Sequence, residues 1–334
     1  MNSLLVIVVL IVIVALAFDF INGFHDTANT IATAVSTKAL TPRVAITLAA
    51  VMNFLGALTF TGVAQTITSG IANPFDLENG TTVILAALIS AIIWNLITWL
   101  FGIPSSSSHA IIGAIAGAVI ASDGFGAVQF GGFISIVEGL ILSPLVAFGV
   151  GYILYSIIKL IFKNRNLAKT NKQFRRVQML TAAVQSYAHG TNDAQKSMGI
   201  ITMALIVGGM RTSTEVPFWV QVSCATAMAL GTSIGGWRII KTVGGKIMKI
   251  RPVNGVAADL TGAFTIFGAT LVHLPVSTTH VISTAVMGVG TAHRIKGVNW
   301  SVAQSMIVTW VITLPVTALI GALILYCLQL LPFF

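Results

Sequence analysis

Along the chain, long apolar tracts alternate with short polar or glycine-bearing stretches. Residues 79–122 and 297–334 form runs of 44 and 38 positions without Asp, Glu, Lys or Arg, each longer than the ~20 apolar residues that a membrane helix needs. Residues 4–17 are apolar at every position, whereas a membrane barrel is built from strands of ~10 residues that alternate apolar and polar. The pattern predicts an all-α polytopic membrane protein. Spans are expected at residues 4–37, 44–70, 81–101, 109–121 and 131–162, then 177–208, 218–237, 256–272, 275–291 and 300–331.

Composition sharpens this picture. Of 334 residues, 56% are hydrophobic and 8% charged, against roughly 25% charged in a soluble domain, which excludes a soluble enzyme. The net charge of +9 is concentrated, with 12 of the 18 basic residues in stretches 159–176 and 238–251. Basic loops stay on the cytoplasmic side of a membrane, so the charge reads as orientation rather than as a nucleic-acid surface. With an external amino terminus, alternation of the spans leaves 16 of the 18 basic residues inside, and both termini are then expected outside a multi-pass plasma-membrane protein. No basic n-region or small-residue cleavage site marks the first tract as a removable signal, so it is kept as a span. Cys224 and Cys327 lie in apolar tracts without CxxC spacing and read as packing residues.

Two of the tracts, 4–37 and 177–208, are too long for one straight crossing, and each holds a polar, glycine-bearing segment, at residues 20–26 and 189–193. Broken backbone survives at membrane depth only where protein or a wet cavity satisfies it, so both tracts are expected to be interrupted there. The two segments align at an offset of 167 residues, with Asp26 on Asp193. A second pair, Pro104 to His109 in the motif PSSSSH and Pro275 to His280 in PVSTTH, aligns at an offset of 171. This argues for duplication: a first membrane repeat over 1–162, a basic cytoplasmic linker over 163–176 and a second repeat over 177–334. Five crossings per half, an odd number, make the second copy inverted. Inverted repeats with broken or re-entrant helices are the architecture of secondary transporters, whose sites lie where the breaks meet.

The polar residues inside these tracts are the candidate chemistry. An ionised carboxylate at Asp26 or Asp193 costs at least ~2.5 kcal/mol in such surroundings. A coupling cation, Na⁺ or H⁺, offsets that cost, with Asn22, Asn29 and Asn192 as neutral oxygen ligands. The alternative is a structural pair, such as Asp193 with Lys196 three residues on. Ser105, Ser106, Ser107 and Ser108, and Ser277, Thr278 and Thr279, follow prolines at expected helix starts, where free N–H groups and the dipole favour an oxyanion. Plain N-capping is the other reading. His25, His109, His280 and Asp259 are candidates for a proton relay, or are packing residues. His25 and His189 form no HxxxH or His/Cys pattern of the kind that catalytic metal ligands take.

At these residues the chain resembles a known family. Gly23-Phe24-His25-Asp26-Thr27-Ala28-Asn29, His189-Gly190-Thr191-Asn192-Asp193-Ala194-Gln195-Lys196 and the paired Pro-Ser/Thr-His motifs are similar to those of the inorganic phosphate transporter (PiT) family, over essentially the whole chain. The resemblance implies symport of inorganic phosphate with Na⁺ or H⁺ through two inverted repeats that share a central site. It places the signature aspartates at Asp26 and Asp193 and the anion motifs at Ser105 to Ser108 and Ser277 to Thr279. Many members have Asn before the first aspartate where this chain has His25, which leaves Na⁺ binding and proton relay both open for that half. Sulfate is the alternative oxyanion.

Energetics favour a coupled carrier. One charge moved against ~100 mV costs ~2.3 kcal/mol, so phosphate with one to two negative charges needs about two cations for neutral entry. No Walker motif is present to supply ATP energy. An intramembrane hydrolase would need a nucleophile with its base in reach, and an anion channel would not accumulate its ion; neither accounts for a duplicated motif. No enzyme activity and no cofactor beyond the coupling ion are expected. The expected partners are phosphate and the lipid bilayer, not nucleic acid, and a homo-oligomer is compatible with the pattern.

Overall fold

The computed structural model describes residues 3–234, 236 and 240–331. The carboxyl end of the expected 218–237 span, and Arg238 in the second basic stretch, lie outside the described residues. Twelve helices organise the described chain. In the first half they are α1 (Ser3–His25), α2 (Thr27–Ser36), α3 (Pro42–Ala57), α4 (Gly62–Gly70), α5 (Gly80–Phe101), α6 (Ser107–Asp123) and α7 (Phe130–Ile161). The second half has α8 (Leu167–Val207), α9 (Phe218–Ile234), α10 (Pro252–Leu271), α11 (Thr278–Arg294) and α12 (Trp300–Gln329). Pro42 and Pro252 sit in the first turns of α3 and α10, where a missing N–H costs nothing.

Several local features recur in the two halves. A single 3₁₀ turn follows α6 at Phe125–Ala127 and α11 at Ile295–Gly297. Isolated bridges Ala72 to Val128 and Met248 to Val298 pin equivalent loops, and Gly102 and His273, which follow α5 and α10, both take left-handed φ values of 65° and 59°. The halves also interlock. Helix α6 packs on α12 and α11 on α7, while α1 packs on α9 and α3 on α8, so the two halves share their principal contacts.

Glycines permit those crossings. A Cβ on Gly117 of α6 would lie 2.1 Å from the Ala318 carbonyl oxygen of α12, and one on Gly288 of α11 would lie 2.1 Å from that of Phe148 on α7. Close backbone approach of this kind is how membrane helices gain packing energy without a hydrophobic drive between them.

Three expectations change. The 4–37 tract breaks at one residue, Asp26, between α1 and α2, but α8 runs unbroken for 41 residues through 189–193. The polar side chains at 189–193 find partners on neighbouring helices, as Asn192 does at Thr270 and Asp193 at Asn22 and Thr278, without an opened backbone. The pronounced bend falls elsewhere, at 69° between α3 and α4. The basic stretch 163–176 is helical from Leu167 onward, because Phe174 is buried and its ring meets that of Phe162 at 5.1 Å.

Among the described residues, four helices are both long and apolar enough to cross a membrane, or five if the bent pair counts as one span. This is fewer than the ten expected spans because several of those tracts form helices that are shorter or more polar than this. Helices α6 and α9 are 17 residues long, and α8 and α10 bury polar side chains against their neighbours. The apolar belt is carried by α1, α7 and α12, where Ile13, Leu145, Leu160, Val311 and Leu319 are exposed. This is a multi-pass membrane architecture with a shielded interior. Two separate apolar cores fill it, one around α5 and α6 and one around α10 and α11, and the polar residues lie between them.

Gly117→Ala and Gly288→Ala are expected to cost about 1–3 kcal/mol each through overpacking, read as a lower thermal midpoint in detergent. Gly149→Ala, with nothing within 4 Å of its added Cβ, should leave the midpoint unchanged.

Candidate functional site: a buried charge cluster between the halves

Helices α1 and α2 run antiparallel to α8, and the side chains along this seam meet in register. Asn22 Nδ2 donates to Asp193 Oδ2 at 2.8 Å, Thr30 and Ser186 hydroxyls are 3.1 Å apart, and Thr37 donates to Gln178 at 2.7 Å. The starts of α6 and α11 enter the seam at its middle, so each half supplies one carboxylate and one hydroxyl-bearing helix start to the same place.

Asp26 accepts three hydrogen bonds. Ser107 Oγ donates to Oδ2 at 2.5 Å, Thr279 Oγ1 to Oδ1 at 2.8 Å, and His25 Nδ1 lies 2.7 Å from Oδ1. His25 is oriented through Nε2, 3.3 Å from Thr98 Oγ1. Asn29 Nδ2 donates to Thr279 Oγ1 at 2.8 Å. The side-chain oxygens of Asn22 and Asn29 are buried and have no hydrogen-bond partner. They are the neutral oxygens that a cation beside Asp26 would take.

Asp193 is held differently. It forms an ion pair with Lys196, accepts from Thr278 Oγ1 at 3.1 Å, and has His189 Nε2 at 3.2 Å. Lys196 also donates to Ser107 Oγ at 3.2 Å, so Lys196 and Ser107 connect the two carboxylates. All these side chains are buried. Lys196 thus forms the structural pair that was the alternative reading of Asp193, and it also sets a fixed positive charge beside the hydroxyls. Asp26, Asp193 and Lys196 together carry a net charge of −1 when ionised.

The seven hydroxyls divide by role. Ser106 and Ser277 are the N-caps, accepting from the backbone N–H of His109 and His280 at 3.1 and 3.3 Å. Ser105 pairs with Thr98 at 2.7 Å and Ser108 donates to the Val276 carbonyl at 2.8 Å. Ser107, Thr278 and Thr279 alone among them reach the carboxylates. Capping and site-building are both present, on different residues of the same motifs.

Several candidates lie apart from the cluster. Asn192 donates to Thr270 Oγ1 and the Leu274 carbonyl and accepts from Val276 N–H, at 3.0, 3.1 and 3.3 Å. Its amide holds the segment before α11, and its oxygen accepts one hydrogen bond there. His109 and His280 contact each other, with ring centroids 4.6 Å apart, and His280 stacks on Trp310 at 3.9 Å. They hydrogen-bond to neither Asp26 nor Asp193, and His109 Nδ1 lies 2.8 Å from Ser106 Oγ. Asp259 accepts from Thr33 at 2.5 Å and Thr181 at 2.9 Å, further along the seam. Cys224 is a buried packing residue, whereas Cys327 is exposed.

Two charged residues escaped the sequence reading as site members. Lys196 is the sole Lys or Arg in the 177–208 tract, and Asp19 the sole charged residue among the first 25. A lone charge in an apolar span was the available signal.

Comparison with known proteins bears on this cluster directly. The model of the phosphate transporter family matches residues 22–321, a range that includes every residue of the cluster. The chain belongs to the phosphate transporter family. It is 71% identical over 331 residues to a protein of Bacillus subtilis described as a probable low-affinity inorganic phosphate transporter, with 99% of each chain covered. A Rhizobium meliloti protein with the same description is 45% identical over 322 residues, covering 96% of each. In three dimensions the chain is similar to a solved sodium-dependent phosphate transporter, with a TM-score of 0.84 and 26% identity over 98% of this chain and 100% of that one. The family is one of transporters, in line with the absence of an expected enzyme activity and with the motif resemblance.

Ser107→Ala and Thr278→Val remove hydrogen bonds to charged groups, worth ~1.5 to 3 kcal/mol each, and should weaken phosphate binding about tenfold or more in equilibrium binding assays. Ser106→Ala removes a cap and should instead lower the thermal midpoint, with a cost of ~1 kcal/mol. Equal losses of affinity across all three would overturn the division of roles.

Proposed function

We propose that this protein imports inorganic phosphate across the plasma membrane by secondary active symport, with Na⁺ as the coupling ion. The observation that carries this reading is the charge balance of the cluster. Two buried carboxylates against one lysine leave the empty site negative, so an oxyanion is repelled until a cation arrives beside Asp26. Asn22 and Asn29 supply free neutral oxygens there, and Lys196 with Ser107, Thr278 and Thr279 supply positive charge and donors for the anion. Binding of each ion then favours binding of the other, which is the reciprocal coupling that a symporter needs. The relatives named as inorganic phosphate transporters support phosphate over sulfate, and the sodium-dependent structural neighbour supports Na⁺ as a coupling ion.

The features that recur in the two halves, the 3₁₀ turns after α6 and α11 and the two isolated bridges, support reading them as inverted repeats that rock against each other around this shared site. The positive-inside bias supports external termini.

Reconstituted in proteoliposomes, the protein should accumulate radiolabelled phosphate above equilibrium when an inward Na⁺ gradient is imposed, and not when the gradient is absent. Asp26→Asn keeps the amide in the carboxylate's place without its charge, and should abolish accumulation while the protein remains folded. Full Na⁺-driven uptake by that variant would remove Asp26 from the cation site.

A further inference from the structure

Asp19 is used by none of the interactions above. It lies on α1, two helical turns before Asp26 and so about 10 Å along the axis from it, and it is fully buried. Neither of its carboxylate oxygens has a close, well-aligned hydrogen bond; the polar groups that face it are the buried hydroxyl of Ser197 and the thiol of Cys224. The ionisable groups around it are few. Helix α8 presents Asp193 and Lys196 and α9 presents Cys224, while α5, also packed on α1, has no charged or histidine side chain along its length. Lys196 is already committed to Asp193 and Ser107.

A buried carboxylate with no countercharge of its own is costly, and membrane proteins retain such a group where it serves an ion pathway. Its surroundings decide which ion. A hydroxyl and a thiol form no oxygen cage for a hard metal cation, and thiol sulfur suits soft metals. A proton needs only the carboxylate. The position fits a pathway as well. From Asp19 to Thr37 the seam of buried polar side chains along α1, α2 and α8 extends about 27 Å, close to the ~30 Å hydrocarbon thickness of a bilayer. Asp19 lies on one side of the central cluster and Asp259, with Thr33 and Thr181, on the other.

We propose that Asp19 is a proton-binding site on the permeation seam, taking up a proton when its side of the seam opens to water and carrying it with phosphate through the transport cycle. The proton moves from bulk water to a carboxylate oxygen and is returned to water on the other face, with no other bond made or broken. The proposal rests on the Na⁺-coupled reading above, and the two fail separately. Absence of Na⁺-driven uptake by the unaltered protein would remove that reading, whereas the Asp19 assignment is decided by variants compared with it.

The test is radiolabelled phosphate flux in proteoliposomes at fixed Na⁺ over a range of pH. Asp19→Asn should lose net accumulation at least tenfold, keep phosphate-for-phosphate exchange within about twofold, and leave only the pH dependence that phosphate's own ionisation imposes. Asp19→Glu should restore net uptake and its pH profile. Cys224→Ser, which places a better donor against the ionised carboxylate, should move the profile to more acidic pH in a protein that needs no change of charge to fold. An Asp19→Asn protein with unaltered net uptake and pH profile would overturn the proposal. So would an unmoved profile in Cys224→Ser, or a changed Na⁺ dependence with the pH profile intact in Asp19→Asn, which would make Asp19 a Na⁺ ligand.

Discussion

The cost of burying charge organises this molecule. Asp26, Asp193 and Lys196 are all withdrawn from solvent at the junction of the two halves, and no one of them is stable there without the others and the hydroxyls that bind them. Removing a partner from a buried pair leaves an uncompensated charge, which costs ~3–5 kcal/mol. The cluster therefore fixes how closely α1, α2, α6, α8 and α11 approach, since five elements must converge to satisfy two carboxylates.

Hydroxyl placement reconciles stability with transport. Ser106 and Ser277 close the helix starts of α6 and α11 by capping, and that leaves the next residues, Ser107 and Thr278, free to turn toward Asp26 and Asp193. A helix start gives both services because its first N–H groups need acceptors while the side chains of its first turn project into the gap ahead of it. Glycines at the crossings let the backbones of the opposite half come close enough to hold these starts in place. The apolar cores on either side exclude water from the cluster, which strengthens each of its interactions.

The membrane is met by a different set of residues. Helices α1, α7 and α12 present continuous apolar faces, while α8 carries polar side chains along a length that would be unstable in lipid. Its backbone stays helical at 189–193 because every polar side chain in that stretch finds a neighbour, as when His189 Nδ1 lies 2.8 Å from Asn53 Oδ1. An interruption in sequence hydropathy need not become an interruption of the helix when other helices supply the partners.

Much of this was legible in the sequence by itself: the membrane class, the helical architecture, and Asp26, Asp193 and the two hydroxyl motifs as polar residues set in apolar tracts. Apolar runs and unneutralised carboxylates have energetic costs that any fold must meet, so they announce themselves without coordinates. The sequence did not reveal that Asn192 secures a loop, that His109 and His280 pack against each other, or which hydroxyls cap and which reach the site. Those outcomes depend on which residues become neighbours far along the chain, from a separation of 78 between Asn192 and Thr270 to 253 between Asp26 and Thr279. Only the tertiary structure decided them, because a buried polar atom takes whatever partner the packing brings within about 3 Å, and local sequence does not specify that partner.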